Sequence, residues 1–390
     1  MGDKSIPKLR FPEFTDEWEQ RKLGEIVDFL DDKRKPIEEN VRIAGVYPYY
    51  GASGVIDYVD GYLFDEELVL LSEDGANIVD RNYRVSFIAS GKYWVNNHAH
   101  VLKAKLNFYN AFICEALERL NFEQYNTGTA QPKLNQEVCR NIRIFFPNFD
   151  EQKKIAEFHK TLDHLITLHQ RKCYCLKKLR DGIIQKILSR ELRFKRADGR
   201  EFENWVTKEL WEILTERKVS QTITEDAPLL SFTIEQGVIK PQDKKTNKRD
   251  FLIKDKETKK FALTEVDDII YNPANLKYGA IHRNKLMRGV VSPIYAIFYT
   301  EQNPAFMEYV VKNPIFIKNS MKYLEGTVIK LMTLKPRDFL KLKVEIPASL
   351  EEQKIIADFL MKFDETIDAE QKRIEKWKEL KKGLLQQMFV

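Results

Sequence analysis

Several residue groups in this 390-residue sequence are of types that do chemistry. His98-Ala99-His100 could set two imidazoles on one face of a strand, the beginning of a metal site. No third ligand accompanies them, so a structural or nucleic-acid-contacting role suits the pair better. Glu151-Gln152-Lys153 and Glu352-Gln353-Lys354 contain the Glu-x-Lys of metal-dependent nucleases. Both lie at predicted helix starts without a spaced partner Asp, where a carboxylate complements the helix dipole. Asn272-Pro273-Ala274-Asn275 approaches the tetrad with which amino-methyltransferases hold a flipped base, but lacks its second proline and its aromatic. Cys173 and Cys175 point about 200° apart on a helix and cannot share a metal. There is no GxxxxGK[ST] phosphate loop and no GxGxxG after a strand. The sequence therefore predicts a chain that catalyses nothing alone and binds no cofactor or metal.

A second set of residues is suited to reading DNA. Asn, Gln and Arg can make bidentate contacts to base edges, while Lys and backbone amides hold phosphates. In the first part of the chain the candidates are Tyr50, Ser53, Asn77, Asn97, His98, Thr129, Gln131 and Lys133. In the second they are Asn272, Lys277, Tyr278, Arg283, Thr327 and Lys330. Charge is unevenly spread: residues 24–80 hold 14 acids against 4 bases, and residues 239–262 hold 9 bases against 4 acids. Such a chain meets a polyanion with part of its surface only, unless the basic run is simply a solvated hairpin. Residues 55–74 are expected to face away from DNA or toward a basic partner, with contacts coming from the 75–133 side.

The elements that position these residues are written twice. Gln152-Lys153, Ile155-Ala156 and Phe158 recur at an offset of 201 as Gln353-Lys354, Ile356-Ala357 and Phe359. Leu9-Arg10-Phe11 with Trp18 and Leu23 recurs as Leu192-Arg193-Phe194 with Trp205 and Leu210. The proline-free runs after Pro147 and Pro347 place Ile155, Leu162, His169, Leu176 and Ile183 at heptad spacing, and likewise Ile356, Phe363, Glu370, Trp377 and Leu384. Companion seams read Phe158, Leu165, Lys172, Leu179 and Leu360, Ile367, Ile374, Lys381, Met388. This pattern predicts two coiled-coil helices, each roughly 60 Å long. A pseudo-twofold axis between related halves makes the pair antiparallel, with a body at each end. His169 and Glu370 then meet near the crossing and set the register, unless both simply reach solvent.

The bodies alternate short apolar runs with Gly, Asn, Asp and Pro, as in Glu67–Leu71 and Gly289–Phe298, and predict strands with helices near 109–121 and 304–323. The fold class is α/β in the mixed α+β sense. The divisions fall at 1–149, 150–190, 191–349 and 350–390. No apolar run approaches the roughly 18 residues that cross a bilayer, the first residues lack a hydrophobic core of a signal peptide, and four cysteines form no disulfide framework. A soluble, reduced, cytoplasmic chain is expected.

Leu9-Arg10-Phe11-Pro12 with Trp18, Tyr49-Tyr50-Gly51 with Ser53-Gly54, Gly128-Thr129 and Gly326-Thr327, and the prolines before each Glu-Gln-Lys resemble the specificity subunit of Type I restriction–modification systems along the whole chain. The resemblance implies that each body is a target recognition domain reading half of a split, asymmetric DNA site. It implies that the long helices set the gap and dock two methyltransferase subunits, which restriction subunits join. It further implies adenine-N6 methylation with S-adenosylmethionine, or ATP- and Mg-dependent cleavage, performed by partner chains. The alternatives are a DNA-specificity subunit of another methylase–nuclease assembly and a coiled-coil scaffold with two protein-binding heads.

Overall fold

Two helices dominate, Phe149–Leu188 and Leu350–Met388, in a computed structural model that describes residues 5–244, 259–324 and 333–390. The chain divides into two units, one running to Lys172 and including Glu370–Val390, the other Cys173–Ala369. Each unit contains part of each long helix.

In the first unit the start of one helix meets the end of the other. Ile155 and Ala156 share a core with Leu385, Met388 and Phe389, so the segments run antiparallel. His169 Nδ1 lies 2.9 Å from Glu370 Oε2, the contact expected from symmetry. Glu370 also accepts from Lys172 and Arg373 and is 3% exposed. In the second unit Ile187 packs with Ile356, Ala357 and Leu360, again antiparallel.

The seam through Ile155, Leu162, His169, Leu176 and Ile183 is buried or half-buried, as is that through Ile356, Phe363, Glu370, Trp377 and Leu384. The companion seam of the first helix differs from expectation. Leu179 is 53% exposed, and Lys172 is exposed along its length while its ammonium reaches Glu370. The inward row is instead His159, Ile166, Cys173, Arg180 and Ile187. A heptad seam alternates steps of three and four, and here the first step from Ile155 is four.

Each unit folds a body of the same plan. An antiparallel ribbon pairs Glu19–Lys22 with Arg143–Phe146, and its counterpart pairs Val206–Glu209 with Lys343–Ile346. A four-stranded antiparallel sheet follows. Its order is Val27–Phe29, Ala99–Ala104, Leu68–Ser72, Ser86–Ala89 in the first unit, and Thr215–Glu216, Ala296–Tyr299, Ile269–Tyr271, Ile281–Arg283 in the second. The sequences of these sheets share almost nothing because burial specifies apolar character rather than identity. A helix covers each sheet, Asn110–Arg119 and Pro304–Lys312. The second ends where Pro314, which lacks an amide hydrogen, opens a new helix, Pro314–Ser320, so the expected 304–323 helix is two. The strand expected over 289–298 is also two, Gly289–Val291 and Ala296–Tyr299.

The repeated motif residues hold this frame together. The Arg10 guanidinium forks onto Glu151, at 2.7 Å to each oxygen, and Glu151 is fully buried. Arg193 does the same to Glu352 at 3.1 Å, joined by Trp205 Nε1 at 3.2 Å. Glu-x-Lys is thus the acidic half of a buried pair that fastens the leading segment to the helix start. Gln152 Nε2 donates to the Pro147 carbonyl and its Oε1 accepts from Tyr109 N. Gln353 repeats both bonds with Pro347 and Asn303.

Candidate nucleic-acid interface

Four loops of the first unit meet at the ends of its strands, and the backbone shows why. Asn96 N donates to Tyr50 O at 3.0 Å, Glu73 N to His98 O at 2.9 Å, Gly75 N to Pro132 O at 3.0 Å and Leu134 N to Glu73 O at 2.7 Å. Ser72 Oγ donates to Ala52 O. The 50–54, 73–77, 96–98 and 126–134 segments therefore form one surface. Asn126 Oδ1 accepts from the amides of Gly128 and Lys133, closing the last loop on itself. At Gly128 a Cβ would overlap the Gln131 carbonyl oxygen, so the tight loop needs glycine.

On this surface Ser53, Asn97, His98, Thr129, Gln131 and Lys133 are exposed. His98 Nδ1 lies 2.7 Å from Asp74 Oδ2, and Lys133 Nζ lies 3.4 Å from Glu73. Two expected residues are otherwise engaged. Asn77 is 8% exposed, and its amide exchanges hydrogen bonds with the backbone of Tyr83, so it fixes a loop and offers no base edge contact. The Tyr50 ring stacks on Phe87 and meets Tyr93 edge-on. Burial pushes its hydroxyl pKa up, with Tyr58 adding to the effect. Its contribution to the surface is the backbone carbonyl.

The expectation that 55–74 as a whole faces away also needs correction. Glu73 and Asp74 lie within the loop cluster, where Glu73 pairs with Arg34 and Lys133, and Asp74 faces the His98 ring. Glu66, by contrast, pairs with Lys103 on the sheet.

The pair of histidines separates. His98 is exposed, whereas His100 on the next strand is buried, between Asp31 and the Leu134 carbonyl. Among the described residues no three His, Cys, Asp or Glu side chains group as a metal site requires.

In the second unit the described candidates lie on or near one loop. Its 272–279 loop is closed by Asn272 Oδ1 accepting from Ala274 N and by Gly279 in the left-handed region. Leu334 N donates to Pro273 O, matching Leu134 on Glu73 in the first unit. Tyr278 is 63% exposed, with the Lys277 ammonium 5.1 Å from its ring centre. That arrangement suits a stacking or phosphate contact. Arg283 is not available for base reading: it pairs with Asp267 at 2.5 Å and Glu308 at 3.5 Å. Thr327, Lys330 and the middle of the basic 239–262 run lie outside the described residues.

Comparison with known proteins fits this arrangement. Residues 15–177 and 301–379, more than half the chain, match the family model of the type I restriction modification DNA specificity domain. An inferred type I restriction enzyme specificity subunit of Haemophilus influenzae is 36% identical over 152 residues, which is 39% of this chain and 38% of that relative's length. The MjaVIII type I restriction enzyme specificity subunit of Methanocaldococcus jannaschii is 22% identical over 98% of this chain and 93% of its own. The crystal structure of a type I restriction-modification S subunit from M. genitalium superposes with a TM-score of 0.63 at 16% identity, over 99% of each chain. No helix among the described residues is long and apolar enough to cross a membrane.

Proposed function

Since the chain belongs to the type I restriction–modification DNA specificity family, we propose that each of its two bodies reads one half of an interrupted, asymmetric duplex site. Sequence choice then resides in the loops and the interval between half-sites in the long helices. The observation that carries this reading is the duplicated plan. The same sheet is built twice, with the matching backbone bonds Leu134 N to Glu73 O and Leu334 N to Pro273 O, on helices whose repeated residues are buried in the frame. A frame kept constant beneath differing loops is what two unlike readers on one support require.

In this reading the direct contacts come from Ser53, Asn97, His98, Thr129, Gln131 and Lys133, and from Asn272, Lys277 and Tyr278, with Thr327 and Lys330 as further candidates. Methylation of adenine N6 with S-adenosylmethionine, and ATP- and Mg-dependent cleavage, belong to partner chains. Two methyltransferase subunits dock along the long helices, and restriction subunits join them. The chain itself chooses the sequence and does no bond chemistry.

A mobility-shift assay on random-sequence duplexes, with and without a methyltransferase subunit, tests this. The expected result is sequence-dependent retention whose affinity falls steeply with salt, as phosphate contacts demand. A flat salt response with no enriched sequence would return the chain to the class of protein scaffolds.

A further inference from the structure

Beneath the loops of the first unit lies a charged cluster centred on Asp31, in the acidic stretch. Asp31 Oδ1 accepts from Val101 N at 2.9 Å, and its Oδ2 from Gln136 Nε2 at 2.8 Å and His100 Nδ1 at 2.6 Å. The other nitrogen of His100 lies 2.7 Å from the Leu134 carbonyl. Arg34 completes the cluster. Its Nη1 donates to Glu73 at 2.7 Å and to Ala99 O at 2.8 Å, and its Nη2 lies 3.3 Å from Asp31. Asp31 and Arg34 are about nine-tenths buried at the side chain, and His100 almost wholly.

Three of the four loops thus hang on one small group. Glu73 belongs to the second loop, Ala99 and His100 follow the third, and Leu134 and Gln136 close the fourth. Both nitrogens of His100 face pure acceptors, so both must carry protons and the ring is an imidazolium. Burial opposes that charge, but the hydrogen bond to Asp31, with Cys139 beside the ring, outweighs it and lifts the pKa to about 10. The groups facing the ring are Asp31, Glu73 at 3.8 Å, Cys139 and the edge of Phe29, with Arg34 behind the two carboxylates. In the second unit the matching carbonyl, that of Leu334, receives the neutral hydroxyl of Tyr271 at 2.9 Å.

We propose that Asp31, Arg34 and His100 are positioning residues for DNA recognition, which set the sequence selectivity of the first unit without touching DNA. They fix the relative placement of the loops that present Asn97, His98 and Lys133. Displacing those loops by an ångström misaligns bidentate base contacts while leaving phosphate contacts, which tolerate it, in place. The proposal rests on the reading of the first unit as a DNA reader, and goes beyond it in naming what aims the loops.

The test uses the full chain assembled with its methyltransferase partner and carrying Arg34→Gln or His100→Gln. The probes are duplex pools in which one half of the wild-type preferred site is randomised at a time. Each variant is expected to lose selectivity in one half by about tenfold, the value of one misread base pair, and to keep the other half unchanged. Wild-type protein with no preferred sequence would refute the reading of function, and the positioning role with it. A selective wild type whose variants stay equally selective in both halves would refute the positioning role alone. If the variants fail to assemble, nitrogen-15 spectra of His100 in the wild-type assembly decide. A doubly protonated ring at pH 8, shifting with duplexes changed in one half only, upholds the proposal, and a singly protonated ring overturns it.

Discussion

Where the two helix segments of each unit pass one another, an aspartate on one accepts a cation from the other. In the first unit Lys381 reaches Asp163 at 2.6 Å, and Glu115 and Arg84 extend the network. In the second, Arg180 reaches Asp364 at 2.7 Å, and the Tyr309 hydroxyl takes the other oxygen. These residues correspond at the same offset of 201. One step away the units part. The first has His159, wholly buried with neither ring nitrogen bonded, where the second has Leu360. The carbonyl that closes the fourth loop is likewise met by an imidazolium in one unit and a phenol in the other. Packing geometry is thus held in common while titration is not, and only the first unit should respond to moderate changes of pH at these places.

The largest effect tests what the units share. Arg10→Ala strands the buried Glu151 carboxylate and should cost about 3 to 5 kcal/mol in urea unfolding. Arg193→Ala should cost less, because Trp205 still donates to Glu352. Equal losses would show that the two fastenings are interchangeable in strength as well as in form.

Alkaline titration separates the units next. The folded pKa of His100 lies above its ordinary 6.5, at about 10. Its stabilisation is therefore complete below pH 6.5 and is lost as pH rises toward 10. Thermal melting of the wild type should fall across that window, and His100→Gln should flatten the slope.

Acid should act through His159, whose pKa burial depresses to about 4. The unfolded chain binds a proton that the folded one refuses, so stability present above pH 6.5 is lost as pH falls toward 4. The loss is on the order of 3 kcal/mol. Replacing the residue by its counterpart, His159→Leu, should abolish this component, and an unchanged acid limb would place the sensitivity elsewhere.

A smaller effect concerns the register contact. A double-mutant cycle on unfolding with His169→Leu and Glu370→Leu should give a coupling of about 1 kcal/mol. Strict additivity would remove the register role. The hydrogen bond from Lys172, with those from His169 and the charge of Arg373, holds the Glu370 pKa below the carboxylate range despite burial. Its support is thus present at neutral pH and fades as acid protonates it. Smallest of all, charge reversals at Asp65, Glu66 and Glu67 should leave the selected DNA sequence unchanged in the pooled-duplex assay.

Much of this was legible in the residues themselves. Heptad spacing and a fixed offset are properties of order along the chain, so the two long helices and the His169–Glu370 meeting could be read directly. The inner companion seam was also written there, since the offset pairs Leu360 with His159. Its polar members, His159 and Arg180, disguised it as an outer face. The fate of individual polar loop residues was not legible. Asn77 has the same chemistry as Asn97 and differs only in having the Tyr83 backbone beside it, and nothing in the order of residues showed that Arg283 would lie between Asp267 and Glu308.

Sequence alone determined the duplication, the helices and the kind of residue available for reading DNA, because periodicity and repetition survive without coordinates. Tertiary structure decided which of those residues lie exposed on loops and which serve the frame. A hydrogen-bonding group buried without a partner costs more free energy than a satisfied one returns, so the fold claims the polar side chains nearest its backbone ends. What it leaves unclaimed is the surface on which recognition can be built.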